Sequence, residues 1–183
     1  MQIVNFHIIS ITLRKPSFLV PKEKREMTMH LHEFNTAARS ISIDSEFKSD
    51  HLCSNHKLTL ELLDFYWDCG FVFSYQSLLT ALSLTLPNGL TIVRNINSNK
   101  IASAMMSRHL PTTDLLPAGR IDWLATHPEF RSKGLGLFTA AQATIKLLDI
   151  GYKHIWVTTQ LSRPSAIKIF KNLGFINNID ARD

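Results

Sequence analysis

Cysteine is scarce in this chain: Cys53 and Cys69 are the two among 183 residues, which fits neither a disulfide framework nor a zinc ribbon. A long apolar run is missing too. Val4–Leu13 is apolar, but no positive charge precedes it and no small-residue cleavage site follows, which argues against a secretory signal. No stretch reaches the ~18 apolar residues that a membrane span requires. Nor is there a basic stripe interleaved with aromatics. The Lys and Arg are scattered, and Lys22-Glu23-Lys24-Arg25 is itself broken by an acid. Neither nucleic acid nor a membrane is therefore an expected partner. His51, Cys53 and His56 lie close together in a polar segment, but three scattered donors of this kind read as coincidence, and no metal is expected. The reducing cytoplasm is the default compartment.

What is present is the composition of a folded domain. With 45% hydrophobic and 19% charged residues, the sequence is neither disordered nor low in complexity. This length can bury a full core without disulfides or metal. A net charge of +5 suits an anionic small ligand. Residues 1–26 read as an extension outside the fold and 27–183 as one domain, with Met27 or Met29 expected as the natural start because the first strand-like pattern begins there.

Met27–Phe34 alternates as a strand, and the polar Asn35–Lys57 reads as loop with room for a short helix. Leu58–Cys69 carries a helical apolar stripe ended at Gly70; Tyr75–Leu86 reads as a second helix stopped by Pro87-Asn88-Gly89. The period then changes. Leu90–Ile96 and Ile101–Met106 flank a short Asn/Ser loop as a hairpin, His109–Gly119 is a loop, and Arg120–Thr126 is a strand. Leu135, Phe138, Ala141, Ile145 and Leu148 recur every three or four positions, so one helix face is buried up to Gly151. His154–Thr159 is a strand, and Pro164 opens a helix that ends at Leu173-Gly174. Strand, helix, strand implies a right-handed crossover and a parallel pair, with a ligand at the carboxyl ends of the strands.

At that carboxyl end stands Arg131-Ser132-Lys133-Gly134-Leu135-Gly136. Two glycines at a helix start serve one of two ends. They permit a tight turn for steric reasons alone, or they expose free helix amides to phosphate oxygens. Arg131 and Lys133 place positive charge beside that turn.

These residues resemble the Arg/Gln-x-x-Gly-x-Gly/Ala acyl-CoA signature of the GNAT N-acetyltransferase superfamily. Arg163-Pro164-Ser165-Ala166 through Phe170 to Leu173-Gly174-Phe175 is similar to that superfamily's second signature. The likeness spans roughly Leu90 to Phe175; the part before it agrees only in element order. The resemblance implies an α/β fold of α+β type: a central mixed sheet with splayed parallel strands, flanked by helices. It implies acetyl-CoA as donor, with pyrophosphate on the amides of Arg131, Ser132, Lys133, Gly134, Leu135 and Gly136. The pantetheine arm would run along Leu124, Ala125 and Thr126, and Arg163 and Phe170 would complete the cofactor site. A primary amine of a small molecule or protein would attack the thioester directly, with a backbone amide near Leu124–Ala125 stabilising the oxyanion.

Two positions depart from the family. Phe170 stands where many members carry a proton-donating tyrosine, and Thr158 and Arg120 stand where many carry a glutamate base. Asp122 shares a strand face with Arg120 and is the candidate general base; pairing with that arginine, a water relay and the nearby His127 are its competitors. Two functions remain open: an N-acyltransferase, and a non-catalytic acyl-CoA-binding sensor. After Phe175 a single short strand fits. An open acceptor pocket or a homodimer across the exposed sheet edge is expected from that.

Overall fold

The computed structural model describes residues 26–110 and 118–177. Its described strands form one seven-stranded sheet in the order β2-β3-β4-β5-β6-β1-β7. They are β1 (Glu26–Leu31), β2 (Phe47–Leu52), β3 (Thr85–Asn95), β4 (Ile101–Leu110), β5 (Ala118–Thr126), β6 (His154–Gln160) and β7 (Phe175–Asn177). Four helices flank it: α1 (His56–Asp68), α2 (Tyr75–Ser83), α3 (Leu135–Ile150) and α4 (Pro164–Asn172). Every pairing is antiparallel except β5 with β6, where the α3 crossover makes the strands parallel. The mixed sheet with helices on its faces is the architecture expected from the sequence.

Helix ends follow capping chemistry. The Asn55 side chain accepts from the Leu58 amide at the start of α1, and Ser74 and Ser77 form a reciprocal capping box on α2. Leu62 and Tyr66 of α1 and Leu78 of α2 pack on Leu90, Ile92, Ala104 and Met106. Ala140, Ala141, Ala143 and Leu147 of α3 pack with Met29, Met105, Ile121, Ile155 and Val157. Each large side chain so buried contributes about 1.5–3 kcal/mol. In α3 the buried stripe passes through Leu135, Phe138 and Ala141 as expected. It then follows Ala143, Thr144 and Leu147, leaving Ile145 and Leu148 half-buried. The smaller side chains let the helix lie closer to the sheet.

Several boundaries differ from the sequence expectation. The polar Asn35–Lys57 stretch contains β2 besides a short 3-10 helix at Thr36–Ser40. β2 is an edge strand in which only Phe47 is buried, so no apolar alternation marks it. Helix α2 ends at Ser83, earlier than Pro87; that proline lies within β3, whose register shifts between Thr85 and Leu90. Such an irregularity is where a strand tolerates proline. His109 and Leu110, and Ala118 and Gly119, belong to strands, whereas 111–117 lie outside the described residues.

The far side of the sheet holds a larger difference. β1 lies between β6 and β7, pairing Thr28 with Thr158 and His30 with Ile176. The edge of β6 is thus covered by an N-terminal strand of the same chain, and the outer strand there is the three-residue β7. The short strand expected after Phe175 is β7, and it forms this edge of the sheet. The expected extension, residues 1–26, lies almost wholly outside the described residues, and its last member, Glu26, begins β1.

Candidate active site

β5 departs from regular pairing on both of its sides. Toward β4, Ala104 faces Ala125 and Met106 faces Asp122, so Trp123 and Leu124 together oppose Met105. This is a β-bulge, and Trp123 takes a left-handed φ of 63° within it. Toward β6, parallel pairing runs from Ala118 with His154 to Ile121 with Val157 and stops there. Beyond that point the strands part, as a bulge bends and twists its strand. The backbone of Leu124, Ala125 and Thr126 consequently faces an opening where β6 would otherwise pair.

The helix mouth lies across that opening. Ser132 and Gly134 both adopt left-handed φ, 64° and 75°. No side chain caps α3, and the first amide to find a backbone acceptor is that of Phe138, on the Gly134 carbonyl at 3.1 Å. The preceding amides and the positive end of the helix dipole form a cradle for anionic oxygens. The two glycines serve different needs. A Cβ on Gly134 would meet open space, whereas one on Gly136 would come within 3.1 Å of Ile169 Cδ1 and 3.3 Å of Thr126 Oγ1. Gly134 supplies a conformation; Gly136 lets α3 approach β5 and α4.

A cavity of about 680 Å3 joins the mouth to the opening. Of the residues expected to hold the cofactor, Leu124, Ala125, Thr126, Arg131, Ser132, Gly134, Leu135, Gly136 and Arg163 all line it. Arg131 donates from Nε to the Thr126 carbonyl at 3.3 Å. Lys133 does not line it: its Nζ pairs with Glu46 at 2.6 Å and lies over the Phe47 ring. Cys69 lines this cavity too, and burial pushes its thiol up to about 12 against the opposing pull of Arg131.

A second cavity, of about 340 Å3, meets the first at Phe71, Leu124, Arg163 and Ala166. Asp122, Arg120, Thr158 and Phe170 line it. Phe170 therefore stands on this side and not in the first cavity; it is 2% exposed and packs edge-on against Phe175. Asp122 is 8% exposed and accepts at one oxygen from Arg108 Nε (2.6 Å) and at the other from Arg120 Nε (2.7 Å). Arg163 lies over the Phe71 ring at 4.7 Å, a cation–π contact at the junction of the cavities. His127 lines neither cavity; its Nδ1 accepts from the Glu129 amide.

Cys69, Phe71 and Arg108 have no counterpart in the sequence reading. Cys69 and Phe71 flank the Gly70 turn and reach the cavities only through the packing of α1 on the sheet. Arg108 lies past the expected end of its strand, so its cross-strand partner was not visible. Among the described residues no group of three His, Cys, Asp or Glu could hold a metal ion. No described helix is long and apolar enough to cross a membrane.

Residues 59–175 match the sequence profile of the Acetyltransferase (GNAT) family. Among solved structures, a GCN5-related N-acetyltransferase from Sphaerobacter thermophilus superposes with a TM-score of 0.64 at 10% identity, over 84% of this chain and 48% of that one. The NatC complex bound to Gag peptide and CoA gives 0.64 at 18% identity, over 72% and 85%. Glucosamine-6-phosphate N-acetyltransferase from Arabidopsis thaliana gives 0.54 at 14%, over 67% and 88%. At these identities the likeness is one of fold. The chain spans about half the length of several such structures, 48% and 50% in two of them. No curated protein sequence matches significantly.

Proposed function

The chain belongs to the GNAT acetyltransferase family, and from that premise we propose that it transfers an acetyl group from acetyl-CoA to a primary amine of a small molecule or protein. The observation that carries this is the parting of β5 from β6 after Ile121 and Val157, directly beside the uncapped start of α3. An uncapped mouth with two left-handed residues fits a pyrophosphate. An unpaired strand backbone fits the amide-rich pantetheine arm. The junction of the two cavities at Leu124 fits a thioester met by an amine from the acceptor side. Orientation of the two reactants there supplies much of the rate, and a bulge amide near Leu124 or Ala125 stabilises the developing oxyanion.

The proton transfers fall to water in this proposal. Phe170 has no proton to give to the departing thiolate. Both oxygens of Asp122 accept hydrogen bonds from arginines, which favour its charged form and make it a weak base for an ammonium, so Asp122 serves to align Arg108 and Arg120. These same two facts favour the second function, a non-catalytic acyl-CoA-binding sensor. The donor is common to both.

Thermal shift and turnover together test the pair. Acetyl-CoA at ~100 times its dissociation constant should stabilise the protein by about 2.7 kcal/mol. No shift with any CoA species sinks both functions, and a shift with ATP but not CoA points to a different nucleotide site. Thiol release across a panel of amines then separates transferase from sensor. Saturable binding without thiol release from any amine favours the sensor.

A further inference from the structure

We propose that the acceptor amine carries an anionic oxyacid group, a carboxylate or a phosphate monoester, held by Arg108 and Arg120 beside the second cavity. The proposal rests on the transferase function of the same site. Arg108 and Arg120 stand directly opposite one another on β4 and β5. Like charges in that arrangement destabilise an antiparallel pair. Asp122 relieves them, one oxygen to each Nε. One carboxylate cannot balance two guanidiniums, and among the described residues the cluster retains one positive charge. The side chains of Arg108 and Arg120 are 25% and 29% exposed and that of Asp122 is 9% exposed, so screening by water and salt is weaker than at an open surface.

The geometry leaves that charge usable. Each arginine spends Nε on Asp122, and the terminal nitrogens of neither donate to a described residue. A guanidinium so placed presents a planar fork suited to two oxygens of a carboxylate or phosphate. Both arginines line a recess of about 220 Å3 between the sheet and α2, where Ser77 and Thr80 also stand. Arg120, Asp122 and Trp123 are common to this recess and the second cavity. A molecule with its amine toward Leu124 and its acidic group toward Arg108 spans the two. The other acid of the second cavity, Glu26, stands on β1 and does not line the recess. Asp122 is then a positioning residue, holding two repelling arginines in register for an anion.

Matched pairs test the idea: O-phosphoethanolamine against ethanolamine, and tyrosine against tyramine. Binding to the CoA-loaded protein and thiol release from acetyl-CoA are both measured. At least one acidic member should bind and react better than its neutral partner, by about tenfold or more. The preferred pair distinguishes phosphate from carboxylate. Arg108→Gln should bring that ratio toward unity while the thermal shift with acetyl-CoA, read at the other cavity, confirms a folded protein; Arg108→Lys should restore part of the ratio. Equal or absent binding within both pairs, or a ratio untouched by Arg108→Gln, overturns the anion site. Thiol release without acidic preference overturns the anion site and leaves the transferase standing. Acidic preference in binding without thiol release from any amine does the reverse.

Discussion

The Tyr66 hydroxyl donates a hydrogen bond to the carbonyl of Trp123 at 3.0 Å. Tyr66 is fully buried in α1, and Trp123 is the left-handed residue of the β5 bulge. A helix on one face of the sheet thus secures the backbone irregularity that opens the site. Burial, with smaller contributions from Cys69 and Asp122, drives the phenol's pKa upward, so it keeps its proton and stays a donor at neutral pH. Tyr66→Phe keeps the ring packing on Phe65, Phe71 and Phe73 and removes only this bond. It should cost about 1–3 kcal/mol and lower Tm by about 2–12 °C. Acetyl-CoA affinity should weaken as well, by titration calorimetry; unchanged affinity means the bulge holds itself.

Gly174→Ala should be severely destabilising. Gly174 has φ 96°, and a Cβ there would lie 1.7 Å from the Glu33 carbonyl oxygen. The segment after β1 passes against it, with the His32 amide donating to the Gly174 carbonyl. A loss of about 3 kcal/mol or more is expected in urea unfolding. A loss under about 1 kcal/mol shows that the segment after β1 can move aside.

Gly134→Asp should fold, because its Cβ meets open space, at a cost of about 1 kcal/mol for the left-handed conformation. Its carboxylate would face the anion cradle at the start of α3. The stabilisation by acetyl-CoA should vanish in a melting experiment. Retained affinity places the pyrophosphate elsewhere.

Cys69 should resist alkylation at neutral pH. With the thiol pushed up to about 12, the thiolate fraction is small and keeps rising with pH. Its rate with iodoacetamide should therefore still climb between about pH 8 and about pH 10. Cys53, which is exposed, should label first. Because Cys69 lines the first cavity, saturating acetyl-CoA should protect it, as peptide mass spectrometry can read. Equal labelling with and without acetyl-CoA removes Cys69 from the binding wall.

Phe170→Tyr should raise kcat if protonation of the thiolate limits the rate, since Phe170 lines the second cavity, which meets the first at Ala166, one turn earlier on α4. An unchanged kcat means that the proton comes from water.

The site was legible where function constrains the local backbone. Gly134 and Gly136 are separated by one residue in the chain, so their turn and the helix after it are visible in the sequence alone. The same holds for the parallel pair, which follows from strand, helix, strand. Asp122 was found as the acid on the face of Arg120, because strand alternation is local. Its second partner, Arg108, depends on the register between β4 and β5, which no local pattern encodes. Lys133 was expected beside the cradle by proximity in sequence, but Glu46, far away in the chain, draws it to β2.

By itself, then, the sequence determined most helix and strand periods, the glycine ends of the helices and the glycine turn before α3, since each depends on residues within a few positions of one another. The tertiary structure alone decided that β1 covers β6, that Tyr66 secures the bulge at Trp123, and that two arginines share one carboxylate. Those arrangements join residues distant in the chain, and their partners are chosen by packing and hydrogen bonding across the sheet, which a linear pattern does not contain.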